Sequence, residues 1–139
     1  MDQFREHFDC WNRGELELME SMYSDDAVFD LSPVFADSAP VQGRDSMTRL
    51  WIELRETWQG IRLDPLEGYA LDDGRFIGVM RLSGIGSQSG AEVEQRVAML
   101  YSLRPEDNKI LEARMFGDLE AALAAAQSSK PSVSPATAP

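Results

Sequence analysis

The chain has 139 residues, 43% of them hydrophobic and 27% charged, which is typical of one globular domain with a substantial core. The formal net charge of −11 disfavours nucleic acids and anionic membrane surfaces as partners, because both carry negative charge themselves. The single cysteine and single histidine exclude an internal disulfide, a cysteine metal cluster and a multi-histidine metal site within one chain.

Two amphipathic helices are predicted at the start of the chain. The apolar residues of the first recur at i, i+3, i+4 and i+7, and Gly14 ends the helix. This apolar face consists of Phe4, His7, Phe8 and Trp11. The second helix begins at Leu16, and Ser24-Asp25-Asp26 is interpreted as the break that ends it.

A short strand, a loop and a third helix follow. The strand is predicted over 27–31 and the loop over 32–43, where prolines and a glycine are frequent. The helix is predicted over 44–58, because its apolar residues again fall on one face. That face consists of Met47, Leu50, Trp51, Leu54 and Trp58.

The second half of the chain predicts an antiparallel sheet. Its four strands are predicted over 61–71, 75–86, 91–104 and 109–117. Asp72-Asp73-Gly74 is typical of a hairpin turn between the first two. Helices ahead of such a sheet are typical of an α+β domain, in which the helices cover one face of a curved sheet and leave a pocket.

The end of the chain predicts a short helix and then a tail. Asp118 is a suitable N-cap for a helix that extends to about Ala126. Residues 128–139 are rich in Ser, Pro, Ala and Thr, which indicates disorder. We therefore expect one domain over 1–127 and a disordered tail over 128–139.

Five segments resemble the NTF2-like superfamily, and in particular its SnoaL-like, polyketide cyclase-like branch. They are Trp11-Asn12-Arg13-Gly14-Glu15-Leu16, Tyr23-Ser24-Asp25-Asp26-Ala27-Val28-Phe29-Asp30, Gln42-Gly43-Arg44-Asp45, Asn108-Lys109-Ile110 and Phe116-Gly117-Asp118-Leu119-Glu120-Ala121-Ala122-Leu123. The resemblance covers about residues 2–126. It implies a cone, in which a bent antiparallel sheet is wrapped by three helices around a hydrophobic pocket, and dimers formed through the outer sheet face. It implies no single activity, because the superfamily includes isomerases, epoxide hydrolases, dehydratases, cyclases and non-catalytic binders.

The catalytic groups of two enzyme branches are largely missing at the matching positions. The ketosteroid isomerase branch needs three polar groups, and the matching positions here are His7, Leu31 and Met99. The limonene epoxide hydrolase branch needs an arginine between two aspartates, and the matching positions are Met80, Leu82 and Met115. The resemblance therefore implies neither of these two mechanisms.

Alternation along the strands predicts which residues line the pocket. With the inward strand residues and those of the helices, the predicted ligand-binding wall consists of Phe8, Trp11, Phe29, Leu31, Trp51, Leu54, Met80, Leu82, Gln95, Val97, Met99 and Met115. Apart from Gln95 this wall is apolar, and its flexible methionines suit an irregular hydrophobic ligand. The opposite parity places Val79, Leu100 and Phe116 on the outer face, where they would form the apolar surface of a dimer contact.

His7 and Asp30 are the candidate catalytic residues. Histidine titrates near neutral pH, so His7 suits an acid, a base or an oxyanion donor; the alternative is a core-edge histidine bonded to a carbonyl or water. Asp30 would act with His7 at the pocket mouth, but alternation with Phe29 turns it away. The alternatives for Asp30 are pairing with Arg44 or Arg49, or capping a local turn. Gln95 either anchors a ligand or satisfies a neighbouring polar group.

Two functions from different classes are consistent with these residues. The first is a cofactor-independent enzyme of the SnoaL-like type, an isomerase, cyclase or dehydratase acting on a small hydrophobic molecule. The second is a non-catalytic protein that binds a small hydrophobic ligand or serves assembly as a dimer. With either function we expect a homodimer through the outer sheet face, as the resemblance implies, and no metal, nucleic acid or membrane partner. We expect a cytoplasmic protein, because no apolar run has spanning length and the N-terminus lacks a basic stretch followed by an apolar one.

Overall fold

The computed structural model, which describes residues 2–35, 37–86 and 90–128, consists of helices packed against a six-stranded sheet. The helices are α1 (Asp2–Arg13), α2 (Leu16–Glu20), α3 (Arg44–Thr57) and α4 (Leu119–Ser128). The strands are β1 (Tyr23–Asp30), β2 (Val41–Gln42), β3 (Trp58–Ala70), β4 (Phe76–Gly86), β5 (Glu92–Leu103) and β6 (Ile110–Phe116). The predicted α+β class, with N-terminal helices on a curved sheet, is confirmed.

The four strands of the second half are antiparallel neighbours, as predicted, but the sheet as a whole is mixed, which corrects the antiparallel sheet that the resemblance implies. The strand order is β2-β1-β6-β5-β4-β3, and β1 pairs with β6 in parallel while the other neighbours are antiparallel. The hairpins of the second half were visible in the sequence because each is local. The pairing of β1 with β6 joins segments some 80 residues apart, and nothing in their local patterns specifies its direction.

The second helix is shorter and the first strand longer than predicted. Helix α2 ends at Glu20, and β1 begins at Tyr23, so Ser24-Asp25-Asp26 lies within the strand rather than in a turn. Both aspartates are exposed, and the register with β6 shifts between Tyr23 and Val28. An irregular strand of this kind accommodates residues that otherwise favour turns.

The two faces of the sheet carry separate hydrophobic clusters, and the predicted strand parity is confirmed. The inner cluster, which also contains the apolar faces of α1 and α3, includes Met80, Leu82, Val97, Met99 and Met115. The outer cluster consists of Ile77, Val79, Ala98, Leu100, Phe116, Ala122 and Ala126. Residues that alternate along β4 and β5 therefore contribute to different cores.

Helix α4 covers part of the outer sheet face. Ala122 and Ala126 are buried against the outer cluster, and the Arg75 guanidinium donates from Nη2 to the Ala126 carbonyl at 2.6 Å. The outer-face residues that were predicted to form a dimer contact are thus buried within the chain itself; they are Val79, Leu100 and Phe116. A homodimer through the outer face stays a prediction, and it now concerns the face that α4 leaves uncovered.

The predicted tail falls almost wholly outside the described residues, since these end at Ser128. Ser128 itself is the last residue of α4. None of the helices within the described ranges is both long enough and apolar enough to cross a membrane.

Helix α1 is fixed to the sheet by polar contacts at its end and by a tight apolar contact at its start. The Asn12 side chain pairs with the backbone of Leu63 in β3, donating from Nδ2 to the carbonyl at 3.0 Å and accepting from the N–H at 2.9 Å. Near the start of the helix, the Phe4 ring lies on Gly78, where a β-carbon would come within 2.2 Å of Phe4 Cε1. Glycine at this position therefore determines how closely α1 approaches β4.

We expect Gly78→Ala to lower the free energy of unfolding by about 1–3 kcal/mol, the usual effect of overpacking a core. Phe4 has little room to move, because its ring contacts Phe8, Phe76 and Tyr101. Chemical denaturation measures the change. Gly117→Ala is the matched control, since a β-carbon there would meet nothing within 4 Å, and an equal loss in both variants would contradict the argument.

The cover formed by α4 can be tested with two alanines of that helix. Ala122 is fully buried and Ala124 is exposed. Ala122→Asp should lower the free energy of unfolding by roughly 2–4 kcal/mol, because it buries an unpaired carboxylate, whereas Ala124→Asp should leave it nearly unchanged. Urea titration of both variants checks this, and a neutral Ala122→Asp would mean that α4 is not seated on the sheet.

Candidate functional site

The interior between the helices and the sheet contains a cavity of about 20 Å³ with an entirely apolar lining. This hydrophobic cavity is lined by Phe8, Trp11, Met19, Phe29, Leu31, Phe35, Trp51, Leu54, Ile61, Leu63, Leu82, Met99 and Met115. A single water needs about 10–15 Å³, so the cavity has room for little more than one molecule of that size.

Most of the predicted ligand-binding wall lines this cavity. The residues placed there as predicted are Phe8, Trp11, Phe29, Leu31, Trp51, Leu54, Leu82, Met99 and Met115. Four lining residues were missed. Met19, Ile61 and Leu63 carried a usable signal, because they follow the helical or strand alternation of their segments. Phe35 carried none, since it lies in a segment interpreted only as a loop.

Three predicted wall residues do not line the cavity. Met80 and Val97 are fully buried in the inner cluster but lie outside the lining. Gln95 is exposed, and it borders a surface groove with Leu66 and Arg96. Its strand parity is as predicted, because it pairs with Leu82, but its side chain is exposed where that of Leu82 is buried.

His7 lies at a second cavity, of about 70 Å³, and not at the hydrophobic one. This His7 cavity is lined by Gln3, Phe4, His7, Phe76, Tyr101, Leu103 and Ile110. The two cavities are neighbours. The His7 ring packs edge-on against Phe8 with centroids 4.4 Å apart, and Phe8 lines the hydrophobic cavity.

The His7 side chain is held by one hydrogen bond in the described part of the chain. Its Nε2 lies 2.7 Å from the Tyr23 hydroxyl, and both residues are buried. His7 is the one partner described for the Tyr23 hydroxyl. The buried hydroxyl proton therefore has an acceptor only if Tyr23 donates to Nε2 of His7. The proton of the neutral ring is then on Nδ1, which has no partner among the described residues.

Burial makes these groups neutral. It lowers the pKa of His7 from 6.5 to about 3, so the imidazole is uncharged at neutral pH. Burial likewise raises the pKa of the Tyr23 and Tyr101 hydroxyls well above the usual value, so both stay protonated. A histidine with such a low pKa is a weak base and is rarely an acid at neutral pH, but its N–H is a competent donor.

Tyr101 supplies a second unpaired polar group. Its hydroxyl is buried without a hydrogen-bond partner in the described ranges, and its ring lies 5.9 Å from that of His7 between centroids. Both residues line the same cavity, so His7 Nδ1–H and Tyr101 O–H are two unpaired groups buried in its wall. Buried polar atoms without a partner in the protein are uncommon, and such atoms can bind water or a ligand.

Asp30 is not brought together with His7. Its carboxylate lies 3.6 Å from the Arg114 guanidinium and accepts from the Ser32 N–H at 2.9 Å. Arg114 in turn lies over the Phe116 ring of the outer cluster, so Asp30 belongs to the outer side of the sheet, as its alternation with Phe29 indicated. The arginine partner is Arg114, whereas the sequence suggested Arg44 or Arg49.

Charged side chains line neither cavity among the residues described. Within the same residues no three His, Cys, Asp or Glu side chains are grouped closely enough to hold a metal ion. The described residues therefore provide a small apolar cavity and, next to it, two neutral unpaired donors in the wall of the His7 cavity, but no ionic contact at either.

The sequence pattern of the SnoaL-like domain matches residues 4–113, so the chain belongs to the SnoaL-like family of the NTF2-like superfamily. The resemblance seen in the five sequence segments is thereby confirmed. No curated protein matches the chain.

Solved structures with the same fold include proteins from several bacteria. A protein of ketosteroid isomerase-like fold from Catenulispora acidiphila, in complex with trimethylamine, has a TM-score of 0.69 and 14% identity, covering 89% of each chain. A candidate polyketide cyclase from Xanthomonas campestris has a TM-score of 0.68 and 17% identity, covering 85% of this chain and 89% of that one. A candidate isomerase from Bacillus subtilis has a TM-score of 0.72 and 14% identity, covering 88% and 91%. At these identities the likeness establishes the fold alone.

The lowered pKa of His7 predicts a pH dependence of stability with a definite sign. Between the folded pKa of about 3 and the unfolded value of 6.5, the unfolded chain binds the extra proton, so stability falls as the pH falls. From pH 7.5 to pH 5 the free energy of unfolding should drop by about 2 kcal/mol.

His7 is the one histidine of the chain, so His7→Gln should remove most of this pH dependence. Urea titrations of both proteins at pH 5, 6, 7 and 7.5 measure it. An equal pH dependence in the variant would show that the imidazole is solvated in the folded protein.

Proposed function

We propose that the protein is a cofactor-independent enzyme of the SnoaL-like type, which isomerises, cyclises or dehydrates a small, uncharged, hydrophobic molecule. The observation that carries this proposal is the pair of buried, neutral, unpaired donors on His7 and Tyr101 beside an apolar cavity. Preformed donors in a site without water stabilise negative charge that develops on a substrate oxygen. Isomerisation and cyclisation of carbonyl compounds both develop such charge.

The residues that line the two cavities also indicate the chemical class of the substrate. A carboxylate or phosphate would lose its hydration and find no cation, because no charged side chain lines either cavity in the described residues. A pure hydrocarbon would leave both donors unpaired. A mainly apolar molecule with one carbonyl, phenol or ether oxygen satisfies the two requirements together.

In this proposal His7 acts as a neutral donor and not as a proton carrier. Its Nδ1–H and the Tyr101 O–H donate to the substrate oxygen, while Tyr23 holds the ring through Nε2. A substrate that fills the cavity displaces water from it, and the low dielectric of the surrounding apolar side chains then strengthens both hydrogen bonds. Asp30, on the other side of the sheet, has no part in this mechanism.

A second candidate function is non-catalytic binding of the same class of molecule. The observation that favours it is the lack of a carboxylate at either cavity within the described residues, which leaves no strong proton acceptor beside the two donors. The two functions differ in turnover and agree on the ligand. Native mass spectrometry of the protein from its own host, followed by extraction of the bound molecule, supplies the compound with which to separate them.

Tyr101→Phe is the sharpest test, because it removes one donor and keeps the ring. If the protein is an enzyme, turnover of the extracted compound should fall by about 10²–10³-fold, as for the loss of one oxyanion donor. Stability should not fall, since the hydroxyl has no partner in the described structure. Tyr69→Phe is the matched control, because its hydroxyl bonds Glu67 at the surface.

Equal turnover in Tyr101→Phe and the wild type would reject the role of Tyr101. Binding of the extracted compound without any turnover by the wild type would reject the enzyme and leave the binding function.

A further inference from the structure

We propose that molecules enter the hydrophobic cavity between Phe35 and Leu54, and that Phe35 limits their size. This inference rests on the proposed function in one respect, that the cavity receives a hydrophobic molecule. It adds the route into the cavity and the residue that selects among ligands.

The exposure of the lining residues locates the entrance. Thirteen described residues line the hydrophobic cavity, and eleven of them are buried in the inner core. The two exceptions are Phe35 and Leu54, which are half-buried and therefore reach both the cavity and the solvent. A path from solvent to cavity that displaces the fewest packed side chains passes between these two.

The backbone around the entrance indicates which of the two side chains moves. Leu54 is held within the continuous helix α3. Phe35 follows β1 in an irregular segment, where the N–H groups of Val34 and Phe35 both donate to the Leu31 carbonyl, at 3.0 and 2.8 Å. Rotation of the Phe35 side chain about its two χ angles needs none of these backbone bonds to break, whereas the preceding turn of α3 restricts the χ1 rotamers of Leu54.

The volume of the cavity explains why Phe35 would act on size. About 20 Å³ is too little for an organic molecule, so a ligand must take space that side chains now fill. Phe35 is the largest lining side chain outside the regular elements. The space freed when it turns outward is about that of one aromatic ring, which sets the size of the molecule admitted without further repacking.

Cysteine trapping tests the route without knowledge of the natural ligand. The parent carries Cys10→Ser, which removes the native thiol, together with Met99→Cys at the cavity wall. Rates of modification by methyl methanethiosulfonate and by the larger benzyl methanethiosulfonate are followed by mass spectrometry. Phe35→Ala should raise the rate of the methyl reagent at least tenfold and that of the benzyl reagent by a larger factor, while Phe35→Leu should be intermediate.

Two controls separate an entrance from loosened structure. Val34→Ala alters the neighbouring side chain, which packs on the core without lining the cavity, so it should leave both rates unchanged. Ala98→Cys places the thiol one residue away in the outer cluster under α4, and Phe35→Ala should not affect its modification.

The inference is overturned if Phe35→Ala leaves the Met99→Cys rates unchanged, or if it raises the Ala98→Cys rates equally. It is also overturned if Val34→Ala acts as strongly as Phe35→Ala. Because labelling requires no turnover, the route can hold even where the proposed enzyme function fails, and the reverse is also true.

Discussion

The hydrogen bond between His7 and Tyr23 sets the chemistry of an interior that is built mainly from apolar side chains. Tyr23 joins three elements at this point. Its hydroxyl bonds His7 of α1 at 2.7 Å, its carbonyl accepts from the Arg44 guanidinium of α3 at 2.6 Å, and its ring packs on Trp51. A charged imidazole would lose its hydration among these side chains, so the ring is stable here only in the neutral form. Packing therefore decides the protonation state of His7. Every chemical role open to His7 then follows from a ring that donates one proton and carries no charge.

Much of the fold could be predicted because its signals are local. The face of α1, the hairpin at Asp72-Asp73-Gly74 and the inward parity of Met80 and Met99 all follow from periods of 3.6 or 2 in short windows. The parallel pairing of β1 with β6 has no such signal, because strand order depends on how distant segments meet. The same limit explains α4, whose alanines show a helix but not the sheet face on which it lies.

The candidate site was predictable to the extent that alternation determines a face. Alternation placed Leu82 and Gln95 on the same side, and they do pair, yet Leu82 is buried and Gln95 exposed. Alternation therefore determines the side of the sheet on which a residue lies, but it does not determine whether that residue is buried. His7 shows a related limit, since the helical period puts it beside Phe8 but does not separate two neighbouring cavities. Tyr101 is a candidate because its buried hydroxyl has no partner in the described structure, and a sequence does not show whether a hydroxyl has a partner.

In a closed interior, ligand selection depends on two free energies: the cost of moving side chains apart and the gain from burying the ligand in the space that this opens. The free protein must first move side chains apart, and the cost of that rearrangement is subtracted from the affinity of any ligand. Burial of apolar area stabilises the complex by about 25 cal/mol per Å², and every hydrophobic molecule of similar size gains the same binding free energy from it. Discrimination must therefore come from the polar groups. A ligand that leaves His7 Nδ1–H and Tyr101 O–H unpaired gains nothing from them, whereas one with an oxygen in reach gains two hydrogen bonds where water is excluded. In the proposed function, the apolar walls thus supply affinity, and the two buried donors decide which molecule of the right size is retained.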